Sequence, residues 1–318
     1  MKRIIKYTLL IILTLLIVIV IQNYPISSTA KTFPRLADTV NIRKNLEAII
    51  NTPSYRNYKN ITVLDTVAER IKKEFKQYTN RVSTQDYKVD DSGYKNIIAS
   101  FGPEDGERII VGAHYDVSHE QDGADDNASG VAGILELAKL LKGQSSKYRI
   151  DLVAFSLEEP PFFHTKNMGS YIHAKSLHDS NIAVKGMISL EMIGYFSDNE
   201  NSQSYPVGMM KWFYGDKGNF ILIVQSFFTG AFAKEFKELS FKNNSIDTKS
   251  VRAPWFVAGD NSDQINYWSF GYSAVMVTNT AYFRNHNYHT RADKSDRLNI
   301  TKMALVIDGV YRALVQLK

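Results

Sequence analysis

The chain contains no cysteine. Disulfides and thiolate metal sites are therefore both excluded, and any metal must be held by histidine, aspartate or glutamate. Long basic runs are missing as well. The 318 residues carry a net charge of +5, of which Lys2, Arg3 and Lys6 supply three, leaving two for everything that follows. Nucleic-acid binding thus has no electrostatic footprint. Neither an internal repeat nor a low-complexity segment is present. What remains is an ordinary globular mixture, 44% hydrophobic and 22% charged, long enough for one large domain or two small ones.

The first 22 residues, MKRIIKYTLLIILTLLIVIVIQ, start basic and continue apolar. Lys6 can snorkel, so residues 4–21 read as one apolar helix of roughly 27 Å, close to a bilayer core of about 30 Å. The basic cluster would stay cytoplasmic. Residues 1–30 are expected to be a membrane segment with the remainder of the chain outside the cytoplasm. A signal peptide cleaved near Ala30 is the alternative, because Ser28 and Ala30 are small enough for cleavage.

Residues 31–318 alternate between helical and strand patterns. Leu64, Val67, Ile71 and Phe75 share one face of a helix, and Val131, Ile134, Leu135, Ala138 and Leu141 line another that stops at Gly143. RIIVGAHYDV, RIDLVAFSLEE and AVKGMISLEMIGYF are near-continuous apolar runs, as expected of strands covered on both faces. GYSAVMVTNTA is a late strand. Residues 196–218 are polar and Gly-rich and read as loop plus an edge hairpin. The pattern predicts a single α/β domain with a central, mostly parallel or mixed sheet flanked by helices.

Ligands in open α/β sheets bind beyond the carboxyl ends of the strands. Three predicted strands end in polar groups: His114 and Asp116, then Glu158 and Glu159, then Glu191. Asp126 follows the first of them at a helix entry, and His289 comes late, in NHNYHTRADKSD. Each piece alone has a bland explanation: a satisfied core histidine, a solvated glutamate pair, an N-cap. Several carboxylates ending apolar strands are costly without a cation, and together they point to metal. Asp125 reads as a loop or cap residue. His119, His173, His178 and His286 read as surface or core residues, and Trp212, Trp255 and Trp268 as core or pocket wall.

The ordered set His-x-Asp at 114–116, Asp-Asn-x-Ser-Gly at 126–130, Glu158-Glu159, Glu191 ahead of Met-Ile-Gly, and Tyr288-His289-Thr290 resembles metallopeptidase family 28. The resemblance runs from about residue 90 to the C-terminus. It implies a zinc aminopeptidase with two Zn2+ per chain, acting on peptides with a free N-terminus. By that resemblance His114, Asp126 and Glu191 hold one zinc, and Asp126, Glu159 and His289 the other, with Asp126 bridging. Asp116 orients His114, and Glu158 is the general base that takes a proton from the attacking water. Glu191 stands where the family has Asp. EEPPFFHTKNMGS replaces a shorter loop, so that Phe162, Phe163 and His164 either rim a substrate pocket or pack on the surface. Ser262-Asp263-Gln264 replaces Ser-Asp-His, a change that bears on the pocket rather than the metals. A glutaminyl-cyclase-like enzyme with one zinc and a non-catalytic ectodomain on the same scaffold are the rival readings.

If residues 4–21 anchor the protein, the full-length chain stays in the membrane fraction through high-salt and alkaline washing. Recovery of a soluble species beginning at Lys31 would establish cleavage instead.

Overall fold

A computed structural model of the chain describes residues 24–227, 230–253 and 262–318, together with Tyr7 and Thr14. Apart from those two positions, the expected membrane segment lies outside the described residues up to Asn23. No described helix is long and apolar enough to cross a membrane.

The described residues form one α/β domain around a nine-stranded sheet. Its strands are β1 (Ser27–Ser28), β2 (Val82–Val89), β3 (Ser92–Phe101), β4 (Arg108–His114), β5 (Arg149–Phe155), β6 (Val184–Glu191), β7 (Ile221–Ser226), β8 (Thr248–Ala253) and β9 (Ala274–Thr278). They lie in the order β1-β8-β7-β9-β6-β4-β5-β3-β2. The centre, β5-β4-β6-β9, is parallel, while β2, β3 and β7 run antiparallel to neighbours, so the sheet is mixed. The helices are α1 (Thr39–Ile50), α2 (Ile61–Phe75), α3 (Gly130–Leu141), α4 (Gly169–Asp179), α5 (Met210–Tyr214), α6 (Ala231–Asn243), α7 (Gln264–Ser269) and α8 (Ile300–Leu314).

The apolar runs read as strands because both faces of the sheet are covered. Ile109, Val111 and Ala113 of β4 pack into a large core with Val67, Ile71 and Phe75 of α2, Ile134 and Leu137 of α3, and Ile307 of α8. Ile110 points the other way, into a smaller core with Ala174 and Leu177 of α4 and Tyr267 of α7. Side chains alternate along a strand, so His114 falls on the same face as Ile110. On β6 the same alternation sends Ile188 and Leu190 to the large core and Met187 to the small one. Glu191 shares the face of Met187. Helix α3 ends where expected, with Gly143 in the left-handed region at φ 72°.

Three sequence expectations need correction. The strand starting at Arg149 stops at Phe155, not Glu159; Leu157 adopts φ 60°, and the two glutamates lie on a turn beyond the strand. Residues 196–218 contain the short helix α5 rather than a hairpin. Strands β2 and β8 were not anticipated, because VSTQDYKV and TKSVRA are polar sequences without the apolar run of the central strands.

Gly186 of β6 shows how tightly α6 seats on the sheet. A Cβ there would lie 2.1 Å from a ring carbon of Phe232. Gly186→Ala should destabilise the protein by about 1–3 kcal/mol through overpacking. Gly93→Ala, where nothing lies within 4 Å, should change stability by no more than about 0.5 kcal/mol. Urea unfolding of the two variants checks the contrast.

Candidate active site

Strand geometry brings the expected residues together at the carboxyl edge of the sheet. His114 ends β4 and Glu191 ends its parallel neighbour β6, on the same face, with Nε2 and Oε2 3.5 Å apart. The turn Ala124–Ser129 leads from β4 into α3 and inserts Asp126 beside them. Asp126 Oδ1 lies 3.4 Å from His114 Nε2, and its Oδ2 lies 3.1 Å from His289 Nε2. Glu159 Oε2 also sits 3.1 Å from His289 Nε2. Two donor triads therefore share Asp126: His114, Asp126 and Glu191 on one side, and Asp126, Glu159 and His289 on the other. Glu158 Oε2 approaches His114 Nε2 at 3.7 Å, and His114, Glu158 and Glu159 form a third close group.

A layer of buried polar groups behind these side chains fixes their positions. Asp116 accepts hydrogen bonds from the backbone N–H groups of Glu158 (3.2 Å) and Glu159 (3.1 Å), and its Oδ1 faces His114 Nδ1 at 3.4 Å. One carboxylate thus aligns the histidine and both glutamates. Asp293 accepts from the N–H groups of Asp125 and Asp126, each at 3.0 Å. Asn127, which follows a cis peptide bond, donates to Leu190 O and Glu191 Oε2 and accepts from Gly130 and Met192 N–H. Asn127 is fully buried with its amide engaged on both sides. Ser262 Oγ donates to Glu191 Oε2 at 2.6 Å, and Gln264 Oε1 accepts from Ser262 N–H. The Tyr288 ring stacks on His289 with centroids 3.8 Å apart.

Asp125 is neither loop surface nor cap. It is fully buried, and its Oδ1 accepts from the N–H groups of Gly194 and Tyr195. Its Oδ2 accepts from the side-chain amides of Asn279 and Asn285. The loops after β6 and β9 and the segment leading to His289 are all tied to it. Arg56, 1% exposed, donates to the carbonyls of Tyr115, Asp122 and Gly123 and clamps the loop ahead of Asp126 from below. Sequence reading missed Arg56, Asp293 and the roles of Asp125, Asn127 and Ser262. Asn127, Asp125 and Ser262 sat in motifs that could have drawn attention to them, and Asp293 lay in the polar run that carries His289.

The site is crowded with negative charge. Burial pushes Glu159 up to about 8, with the Asp126 charge adding to it, and burial also raises Glu158 and Glu191. Buried Asp263 and Asp293 are each pushed up to about 7. For Asp126, burial is outweighed by His114 and His289, which hold it below the usual carboxylate range. His289 shows the reverse balance: burial opposes its charge, but Asp126 and Glu159 raise it to about 10. Burial lowers Arg56 to about 10, against the pull of Asp293, Asp126 and Asp116. Asp126 Oδ2, Glu159 Oε1 and His289 Nε2 are buried atoms without a hydrogen-bond partner. Oxygen and imidazole donors that converge in this way, with no thiol present, are the donor set of a borderline divalent cation such as zinc.

The remaining sequence readings divide. Phe163 lines a cavity that opens on the site, Phe162 packs edge-on against Tyr58, and His164 is exposed. His173 is a core residue hydrogen-bonded to the Tyr267 hydroxyl, while His119, His178 and His286 are exposed. Trp268 is half-buried against the small core, but Trp212 is 81% exposed and forms neither core nor wall. Trp255 lies outside the described residues.

Comparison with known proteins adds an independent line. A model of peptidase family M28 matches residues 96–314. The uncharacterized protein YfbL of Escherichia coli K12 is 42% identical over the full length of both chains. Among solved structures, the LapA aminopeptidase of Legionella pneumophila superposes with a TM-score of 0.70 at 20% identity, covering 89% of this chain and 71% of that one. A glutaminyl cyclase of Bacteroides thetaiotaomicron reaches 0.67 at 18% identity, covering 90% and 100%. At such identities the likeness to the solved structures shows the fold alone.

Asp116→Asn tests the support behind the triads. The amide can accept at only one of the two positions that now bind Glu158 and Glu159 N–H. Metal affinity should fall about 10–100-fold, as measured by calorimetric zinc titration. Unchanged affinity would show that Asp116 does not position the donors.

Proposed function

The chain belongs to peptidase family M28, and on that premise we propose that it is a zinc aminopeptidase with two metal positions. The observation that carries this reading is the pair of donor triads sharing Asp126. His114, Asp126 and Glu191 would hold one zinc, and Asp126, Glu159 and His289 the other. Three protein ligands per metal leave a position open, the arrangement of a catalytic rather than a structural site. The unpartnered atoms of Asp126, Glu159 and His289 fit the same assignment. When bound, zinc supplies Lewis-acid polarisation of water and of the scissile carbonyl near neutral pH.

The chain's own residues manage the proton. Glu158 lines the cavity beside both triads, with its backbone fixed by Asp116. Its carboxylate takes a proton from water as the water oxygen bonds to the peptide carbonyl carbon. The proton then passes to the departing nitrogen as the C–N bond breaks, releasing the N-terminal amino acid and a shortened peptide. Asp116 holds the His114 ring, which keeps its Nε2 directed at the site. The acidic end of the cavity, formed by Asp126, Glu158, Glu159 and Glu191, would receive the free α-amine of the substrate. A membrane segment at residues 4–21 with its basic start in the cytoplasm would leave this domain outside it.

A glutaminyl-cyclase-like reading draws support from the comparable likeness to a cyclase fold. Its single zinc would leave one triad without a task, whereas both are complete here.

Variants at the glutamate pair test the mechanism. Glu158→Gln should keep both zincs and lose at least about 10²–10⁴ in kcat. Glu159→Gln should lose metal instead, as should Glu191→Ala, while Glu191→Asp should retain part of the activity. A metal-depleted Glu158→Gln beside a fully loaded Glu159→Gln would reverse the roles. Parent-rate hydrolysis by Glu158→Gln would refute the mechanism.

A further inference from the structure

The chain that follows the expected membrane segment does not hang loose from the domain. Its first strand, β1, pairs with β8, with Ser27 opposite Lys249 and Ser28 opposite Thr248. Pro25 O accepts from Lys237 Nζ at 3.3 Å, and Ile26 O accepts from Ser250 N–H at 2.8 Å. Ser28 Oγ donates to Phe241 O, and Ala30 N–H donates to Asp247 Oδ1, each at 2.8 Å. Asp308 then accepts from the N–H groups of Leu36 and Ala37. Ser27 comes six residues after Ile21, where the apolar run ends. At about 3.3 Å per residue, Ser27 on the β8 edge of the sheet lies within about 20 Å of that end.

Helix α5 sits on the same edge. The Tyr214 hydroxyl donates to Ser250 O at 2.8 Å, and Lys249 Nζ donates to Tyr214 O. Met210 and Tyr214 line the cavity with Leu222 and Val224, on the face of the sheet opposite the large core. The outward side of the segment has no such cover. Met209, Trp212 and Phe213 are 57%, 81% and 62% exposed. Residues 205–215, YPVGMMKWFYG, carry one charge, on Lys211. Among the described residues, Trp212 and Tyr24 are the two most exposed large hydrophobic side chains, and both are aromatic residues near this edge.

A cluster of exposed apolar side chains marks a contact surface. Tryptophan and phenylalanine beside a lysine suit the boundary between headgroups and acyl chains, where rings sit in the interface and an ammonium reaches phosphate. The tether determines what covers the patch. It keeps the bilayer beside this edge, so docking is intramolecular and a few side chains suffice. We propose that Met209, Trp212 and Phe213 dock the domain on the surface of the membrane that carries its own anchor. The docking rests on the membrane reading of residues 4–21 and is independent of the peptidase reading.

Because the chain has no cysteine, one introduced thiol carries one label. Full-length Phe213→Cys is labelled with a nitroxide and reconstituted in vesicles of equal parts phosphatidylcholine and phosphatidylglycerol. Val40→Cys is the control. Val40 is 76% exposed on α1, which packs through Ile42 and Leu46 into the large core. Spin relaxation reads collisions with oxygen, which concentrates in lipid, and with a water-soluble nickel chelate. The oxygen-to-nickel ratio should be several-fold higher at 213 than at 40, and Trp212→Asp should bring the ratio at 213 down to that at 40. Alkaline washing of the same vesicles reads the anchor separately. Equal ratios in protein that stays with the vesicles overturn the docking and leave the anchor standing. Shielding of the 213 label from both colliders would place another copy or a peptide there and overturns the docking as well. A ratio at 213 that Trp212→Asp leaves unchanged assigns lipid contact to the tether alone and overturns the role of these side chains. Release of a soluble species beginning at Lys31 refutes the anchor and the docking together.

Discussion

Negative charge buried at one edge of a sheet is the constraint from which the rest of this structure follows. Asp116, Asp125, Asp126, Glu158, Glu159, Glu191, Asp263 and Asp293 are each at most 9% exposed. Isolated carboxylates in such surroundings would be too costly to keep ionised. The structure answers with three kinds of partner. Asp125, Asp116 and Asp293 receive backbone and amide N–H donors. Arg56 brings a guanidinium beneath the loop. Asp126, Glu159 and His289 keep atoms without a hydrogen-bond partner, and a divalent metal held there would satisfy that remaining demand.

The same accounting explains why the loops at this edge are ordered around so few residues. Asp125 joins the loops after β6 and β9 to the segment that carries His289, and Asp293 fixes the backbone that presents Asp126. Asn127 links that turn to the end of β6, where Glu191 begins its reach. The side chain of Glu191 is steadied by the Ser262 hydroxyl, which donates to its Oε2. Positioning groups and donor groups are interleaved along the chain, often in adjacent positions, as at 125–126 and 158–159.

Much of this was legible in the sequence. The apolar runs of β4, β5 and β6 and the faces of α2 and α3 follow directly from period and burial. His114, Asp126, Glu159, Glu191 and His289 could be collected because their ordered motifs resemble one family, although only His114 and Glu191 end strands. Asp293 could not, since its partner Asp126 lies 167 residues earlier and an aspartate in a polar run looks solvated. Arg56 was hidden for the same reason: its partners are carbonyl oxygens, which leave no trace in composition. The end of β5 at Phe155 was misjudged because Ser156, Leu157 and the glutamates continue a strand-like pattern that Leu157 breaks with a positive φ. The cavity beside the site was invisible in the sequence, because Leu222, Val224 and Met276, which line it, look like any other core residues until the strand register shows which face they take.

The central claim is that two cations share Asp126. Diffraction from crystals of the zinc-loaded protein, recorded at the zinc absorption edge, tests it most directly. The account predicts two anomalous peaks, one bounded by His114, Asp126 and Glu191 and the other by Asp126, Glu159 and His289. A single peak, or two peaks that do not both contact Asp126, would contradict it.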